Sequence, residues 1–310
     1  MNLPRLLAHL LPLPLLLSAC ELEETSLTQP EDVLVAEIYL EIGDGPDELF
    51  AFLQWTLGAD GPSDLEQASV RVDGPAGLTI PFRPAEVGDC LQPSLVGEVE
   101  GACFRAAAFV DGSLRPGDRV GVQITTVDGQ LLEGGMVLPG AFELRRPAGV
   151  EVCALPPGES LEIVWTRSAD AWAYSGETHI SGLRDALAAA GVQLEEDSVT
   201  LLGLSISEMD TTLVFPQEFG VFDRFDLDRD LALALQEGLP SGTEAQVVMS
   251  ALERNFINWV RGGGFNPSGA VRVPSLRGDG VGVLAGVVRR IIRVVGGEPS
   301  GGVPSCLADS

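Results

Sequence analysis

The sequence predicts a mainly β protein: two immunoglobulin- or fibronectin-like β-sandwich units, with a few short helices in the C-terminal half. Three observations predict it. The 37 glycines and 21 prolines punctuate short apolar runs and follow no collagen-like period. Within many of those runs apolar and polar residues alternate with a period of two. Between them stand Asp-Gly and Pro-Gly pairs, the chemistry of tight turns.

The first unit is expected over residues 33–147. Its strands are read at 33–42, 49–57, 68–72, 78–82, 103–110, 119–127 and 131–138, each an apolar, β-rich run. "GDGPD" (43–47) turns the chain after the first strand. "LRPGD" (114–118) places Pro116-Gly117 just before a strand, as a type II turn would. Asp128-Gly129 between two β-rich runs is a strong hairpin signal. About seven short strands in this length match an immunoglobulin-like sandwich.

"RRPAGVEVCALPPG" (145–158) reads as a boundary, and the second unit is expected over 148–296. It opens with "LEIVWTRSADAWAYSGETHI" (161–180), where Ile163 and Trp165 alternate with polar neighbours. Trp172 and Tyr174 are expected on one face, packed in the core, with a ligand platform as the alternative. "SGLRDALAAAG" (181–191) reads as a helix capped by Ser181 and ended by Gly191. Strands are expected at 199–205 and 211–215, and "LALALQ" (231–236) alternates like another. Residues 243–252 read as a buried strand leading into a short helix, 253–261. Residues 281–295 read as a long closing strand with Arg289, Arg290 and Arg293 near its end. The Gly/Pro-rich tail, 297–310, is expected to be loose unless Cys306 is paired.

The first 19 residues read as a leader. Residues 6–17 are almost wholly apolar, but twelve residues cover roughly 18 Å, short of a hydrocarbon core of about 30 Å. Pro12 and Pro14 interrupt the run, and Arg5 precedes it. Leu17-Ser18-Ala19-Cys20 resembles the lipobox of bacterial lipoproteins. That resemblance implies that Cys20 is acylated and becomes the mature N-terminus, followed by an acidic tether over 20–32. It also implies a cell-envelope lipoprotein held in the outer membrane, periplasmic or surface-exposed. Residue 21 is Glu, not the Asp of inner-membrane retention.

The formal charge of −26 includes Arg5, so removing the leader leaves −27. Such a balance argues against nucleic acid and anionic lipid as partners. All 19 basic residues are Arg, which excludes Schiff-base lysines, P-loop lysines and Ser-x-x-Lys hydrolases. Beyond the leader the only histidine is His179, so a His-rich zinc site cannot form. With no Gly-x-Ser-x-Gly elbow to serve it, His179 reads as a partly exposed strand residue. Four cysteines remain after Cys20. An even number in an exported chain reads as disulfides, and three pairings can be drawn. Cys90–Cys103, closing a short loop, and Cys153–Cys306, tying down the tail, are expected.

Three stretches carry candidate chemistry. Asp226, Asp228 and Asp230 hold positions 1, 3 and 5 of a calcium loop and Glu237 holds position 12, where alternate carboxylates and a distal Glu surround one hard cation. Leu231 stands where that loop needs Gly, so an acidic solvated turn is the competing reading. "GDGVGVLA" (278–285) has dinucleotide-like glycines, but a β-branched run follows them; close strand packing is the better reading. "NFINWVRGGGFNPSG" (255–269) puts Phe256 and Trp259 on one helical face. A binding site would use Trp259, Arg261 and Asn266; the alternative is a helix docked by its aromatics on a sandwich edge. Among the 45 acidic residues no glycosidase-like pair can be singled out from sequence.

"VLVAEIYLEIGD", "LRPGDRVGVQITTVDGQLLEGGMVLPGAF", "LEIVWTRSADAWAYS" and "ERNFINWVRGGGFNPSGAVRVPSLRGDGVGVLAG" together resemble unknown-function family 4249 of bacterial lipoproteins. Leu284 and Ala285 stand where the family pattern has Phe and Gly. The resemblance implies a β-rich envelope lipoprotein beside an outer-membrane receptor or transporter, and it supplies no catalytic residues. The expected function is a non-enzymatic, membrane-anchored binding or accessory module without a cofactor. The alternatives are a carboxylate-based glycan hydrolase and a calcium-stabilised surface adhesion module.

Overall fold

Among the described residues sixteen strands are formed in chain order: β1 Leu34–Gly43, β2 Glu48–Trp55, β3 Ser69–Asp73, β4 Thr79–Ala85, β5 Ala102–Ala106, β6 Arg119–Thr125, β7 Leu131–Val137, β8 Leu144–Arg146, β9 Val152–Leu155, β10 Leu161–Trp165, β11 Ala173–Ser181, β12 Ser198–Ser205, β13 Thr212–Phe215, β14 Glu244–Leu252, β15 Leu276–Gly278 and β16 Gly280–Gly296. Three α-helices join them among the described residues: α1 Leu183–Ala188, α2 Arg229–Gln236 and α3 Arg254–Arg261. This computed structural model describes residues 32–56, 64–90, 100–106, 112–188, 191–194, 196–205, 208–219, 229–261 and 273–307. The leader, Cys20 and most of the tether lie outside them.

The protein is mainly β, as expected. Thirteen strands belong to one sheet. Nine of them run β1-β2-β5-β4-β3-β6-β7-β15-β16, and β16 pairs back onto β1, closing a barrel-like sheet. Period-two burial drives this closure. Along β1 every second residue, from Leu34 to Ile42, is buried and its neighbours are not. Inside the barrel-like sheet Ile38, Leu40, Leu53, Ile80, Phe104, Ile124 and Leu132 are fully buried. The Asp128-Gly129 turn joins β6 to β7 as an antiparallel pair, with Gly129 at φ +88°, where glycine is favoured.

β16 is the unusual element. Its first part runs parallel to β1, from Leu34 opposite Gly280 to Gly43 opposite Arg289. Its second part pairs antiparallel with β14 and parallel with β9. From β14 the sheet continues through β11 to β12. A separate three-stranded sheet, β13-β10-β8, packs its apolar side chains on this part. Trp165 of β10 meets Tyr174 of β11 edge-on at 5.2 Å, and Phe142 meets the same tyrosine at 6.1 Å.

Several expectations need correction. Instead of clearly two sandwich units there is a barrel-like sheet that β15 and the first half of β16 complete, and the stretch 145–158 holds β9 and most of β8. From Asp32 onward the chain is one compact unit. "LALALQ" is helical, not a strand. Leu231 and Leu235, four apart, are buried while Leu233 is exposed, the pattern of a helix face. α1 is capped by Asp197, not Ser181: Asp197 accepts from Arg184 N through Oδ1 (2.9 Å) and from Leu183 N through its carbonyl (3.1 Å). Trp172 does not share the buried face of Tyr174. It precedes β11, is 42% exposed, and lies 4.8 Å under the Arg254 guanidinium.

Both expected disulfides form, Cys90–Cys103 and Cys153–Cys306. The second pair ties the tail beside β9, where Ala154 N donates to Pro304 O and Cys306 N donates to Ala154 O, each at 2.8 Å.

Candidate functional site

The features of most chemical interest gather on the outer face of β1 and β16, under α3. β14 delivers the chain there at Leu252, and Glu253 then starts the helix. Its two carboxyl oxygens accept from Asn255 N and Phe256 N, each at 2.6 Å, and its own N–H donates to Gly286 O. These bonds satisfy amides that a helix start leaves without intrahelical partners. Phe256 and Trp259 do share a face, as their spacing predicts. Trp259 packs on Val283 and Ala285, flanked by Val35 and Tyr39, and Ile257 packs with Ala173, Leu252 and Val287.

This cover explains the burial of β16. Residues 282–289 are buried without alternation, because one face meets the core and the other meets α3. Trp259 Nε1 donates to Glu37 Oε1 at 3.2 Å, and Tyr39 Oη donates to Glu37 Oε2 at 2.9 Å. Tyr39 stacks on Phe50 at 5.1 Å and meets Phe256 edge-on at 6.0 Å. Trp259 therefore sits in a docked position at the sheet surface. Arg261 is the last residue of α3, and Asn266 lies outside the described residues.

Two buried ionisable groups flank the helix. Glu253 is 4% exposed, and burial pushes its carboxyl up from 4.5 to about 7 against the lowering effect of the backbone N–H donors. Arg289, 8% exposed, donates from Nη1 to Glu41 Oε2 (3.2 Å) and Glu48 Oε1 (3.3 Å), and from Nη2 to Pro46 O (2.6 Å). Burial raises the Glu41 carboxyl although Arg289 opposes it. Glu41 and Glu48 face each other across β1 and β2, and one guanidinium serves both. Next along the strand, Arg290 Nη1 donates to Asp44 Oδ1 (2.6 Å) and its Nε to Phe142 O (2.8 Å), while Asp44 Oδ2 accepts from Ile291 N (3.0 Å). Arg289 and Arg290, read only as strand-end residues, are thus a clamp. They fasten the β1–β2 turn where β16 passes from β1 to β14.

Sequence reasoning missed Glu253 and this clamp. Two signals were there: a carboxylate directly before a helix, and a pair of arginines inside an apolar run. Of the calcium-loop residues, Asp226 and Asp228 lie outside the described residues. Asp230 belongs to the first turn of α2 and Glu237 follows its last residue, so helix occupies the middle of that stretch. Among the described residues no cluster of three His, Cys, Asp or Glu side chains could hold a metal ion. His179 is exposed on β11, with Nδ1 3.4 Å from Thr200 Oγ1.

No family model and no curated protein matches the chain. Among solved structures, it is similar to a DUF4785 family protein of Legionella pneumophila at 13% identity and a TM-score of 0.22. That match covers 69% of this chain and 51% of the other, so this chain spans about half the length of that relative. The fibronectin(III)-like modules of Clostridium thermocellum CbhA match at 9% identity and a TM-score of 0.18, over 84% and 91% of the two chains. Dpr11 IG1 bound to DIP-gamma IG+IG2 matches at 8% identity and a TM-score of 0.18, over 87% and 100%.

Proposed function

We propose that this protein is a lipid-anchored module of the bacterial cell envelope that binds a partner and carries out no chemistry of its own. The observation that carries the reading is Cys20, set at the end of a short apolar leader and twelve residues before a disulfide-closed β body begins at Asp32. The body supports it through what its buried charges do. Glu253 caps a helix, and Glu41 shares Arg289 with Glu48. In this reading the C-terminal half is an immunoglobulin- or fibronectin-like sandwich, with β13-β10-β8 set against β9-β16-β14-β11-β12. The stretches that resemble unknown-function family 4249 favour, in this reading, a partner among outer-membrane receptors or transporters.

Expression of the full chain in a Gram-negative host tests the anchor. Mass spectrometry of the processed protein is expected to find acyl chains on Cys20, and Cys20→Ser is expected to release the protein from the membrane fraction. An unmodified Cys20 thiol, or an uncut precursor, would remove the reading. Crosslinking in native membranes is expected to recover an envelope protein.

A further inference from the structure

The edge of the large sheet deepens that reading and rests on it. We infer that β12 is a docking edge onto which an extended segment of a partner protein, apolar in its middle and basic at its ends, adds as a further strand. β12 ends the sheet and, among the described residues, pairs with β11 alone. Its register with β11 is regular from Tyr174 opposite Ser205 to Ser181 opposite Ser198. A sheet edge is a row of main-chain donors and acceptors, so proteins usually blunt it with charge, proline or a bulge. The other edges here are guarded. β8 carries Arg145 and Arg146 and runs into Pro147; β13 is four residues long and runs into Pro216; β9 is bridged by Ser305.

β12 has none of these devices. SVTLLGLS contains no charge and no proline, in a chain whose residues are 21% charged. Leu204 is 47% exposed, and half-buried Leu202 lies on the same face two residues away. An added strand would satisfy the main-chain edge and cover both leucines, the general mode of strand addition. The charge of the incoming segment follows from the surroundings. Glu177 stands opposite Leu202 on β11, Asp197 precedes β12, and Glu208 and Asp210 follow it, against Arg167, which pairs with Glu208, and Arg184. A formal charge of −26 also sets a second copy of this chain against itself.

The test uses the full chain and a labelled octapeptide, Arg-Thr-Val-Thr-Val-Thr-Val-Arg. Two control peptides accompany it, one with Glu at both ends and one N-methylated at alternate amides. The basic peptide is expected to bind and to slow amide exchange within residues 198–205. The Glu-ended peptide is expected to bind about tenfold or more weakly at low salt, and the N-methylated one not measurably. Leu204→Lys is expected to weaken binding about tenfold or more with its unfolding midpoint unchanged. Equal binding of the N-methylated peptide overturns the inference, as does protection elsewhere on the chain. So does a concentration-dependent dimer that Leu204→Lys dissolves, because the occupant would then be a second copy. Crosslinking in native membranes separates the two levels. A partner recovered equally by wild type and Leu204→Lys removes the edge and keeps the binding reading. A partner recovered by neither removes the binding reading, and the peptide result then decides the edge alone.

Discussion

Glu253→Gln is expected to flatten the pH dependence of stability between about pH 4.5 and 7. The Glu253 carboxyl holds its proton up to about 7 in the folded protein, against 4.5 when it is freely solvated. Across that window the folded state keeps a proton that the unfolded chain has lost. Stability from this group is therefore fully present at the acid end and falls as pH rises through about 7. Each pH unit is worth about 1.4 kcal/mol, so the whole window is worth about 3 kcal/mol, or roughly 6 °C in midpoint for a chain this long. Gln is neutral throughout. It keeps one oxygen for the amides of Asn255 and Phe256, which imposes a pH-independent offset of about 1 kcal/mol. Glu41, also raised by burial, contributes a slope of the same sign to both proteins, as does general repulsion among the carboxylates. The difference between the two curves therefore isolates Glu253. Urea unfolding of both proteins at half-unit steps from pH 5 to 8 gives those curves. Parallel wild-type and Glu253→Gln curves would refute the reasoning.

Gly282→Ala is expected to abolish folding by far-UV circular dichroism, because a Cβ there would lie 1.9 Å from the Ala36 carbonyl oxygen and force β1 off β16. Trp259→Ala is expected to cost about 3–5 kcal/mol in urea unfolding, since the indole packs on Val283 and Ala285 and donates to Glu37. Trp259→Phe should recover most of that loss. Chelator is expected to leave the melting temperature unchanged, because α2 occupies the middle of the Asp226–Glu237 stretch; a midpoint that falls with chelator and returns with calcium would restore the cation site.

The first seven strands were legible because each rests on local signals. Alternation in "VLVAEIYLEI" fixes which face of β1 is buried, and Asp128-Gly129 fixes where β6 turns into β7. What alternation cannot separate is a strand from a two-turn helix. Leu231, Leu233 and Leu235 satisfy a period of two, and only packing shows that Leu233 is the exposed one. Caps drawn from far along the chain are equally hidden. Asp197 reaches the start of α1 from fourteen residues beyond Leu183, so the nearer Ser181 was the natural local choice. The candidate site was half legible. The helical face of Phe256 and Trp259 follows from spacing, but Glu37 is 222 residues from Trp259 and Glu41 is 248 from Arg289. No local pattern carries such partnerships.

The long closing strand also shows why composition suggested two units where the backbone builds a continuous sheet. A strand buried on both faces needs a near-continuous apolar run, and "GVGVLAGVV" supplies one. Glycine at 282 lets β1 approach on one edge; on the other, Gly286 O accepts the Glu253 amide as the chain leaves β14 for α3. Seen along the chain, these residues look like the last strand of a second sandwich. In space the first half of β16 closes the N-terminal barrel-like sheet and the second half founds the C-terminal one. The two charged residues inserted at the crossover, Arg289 and Arg290, are costly to bury and are accepted only because Glu41, Glu48, Asp44 and two backbone carbonyls meet them. Their place in the middle of an apolar run marks the position where one strand changes partners.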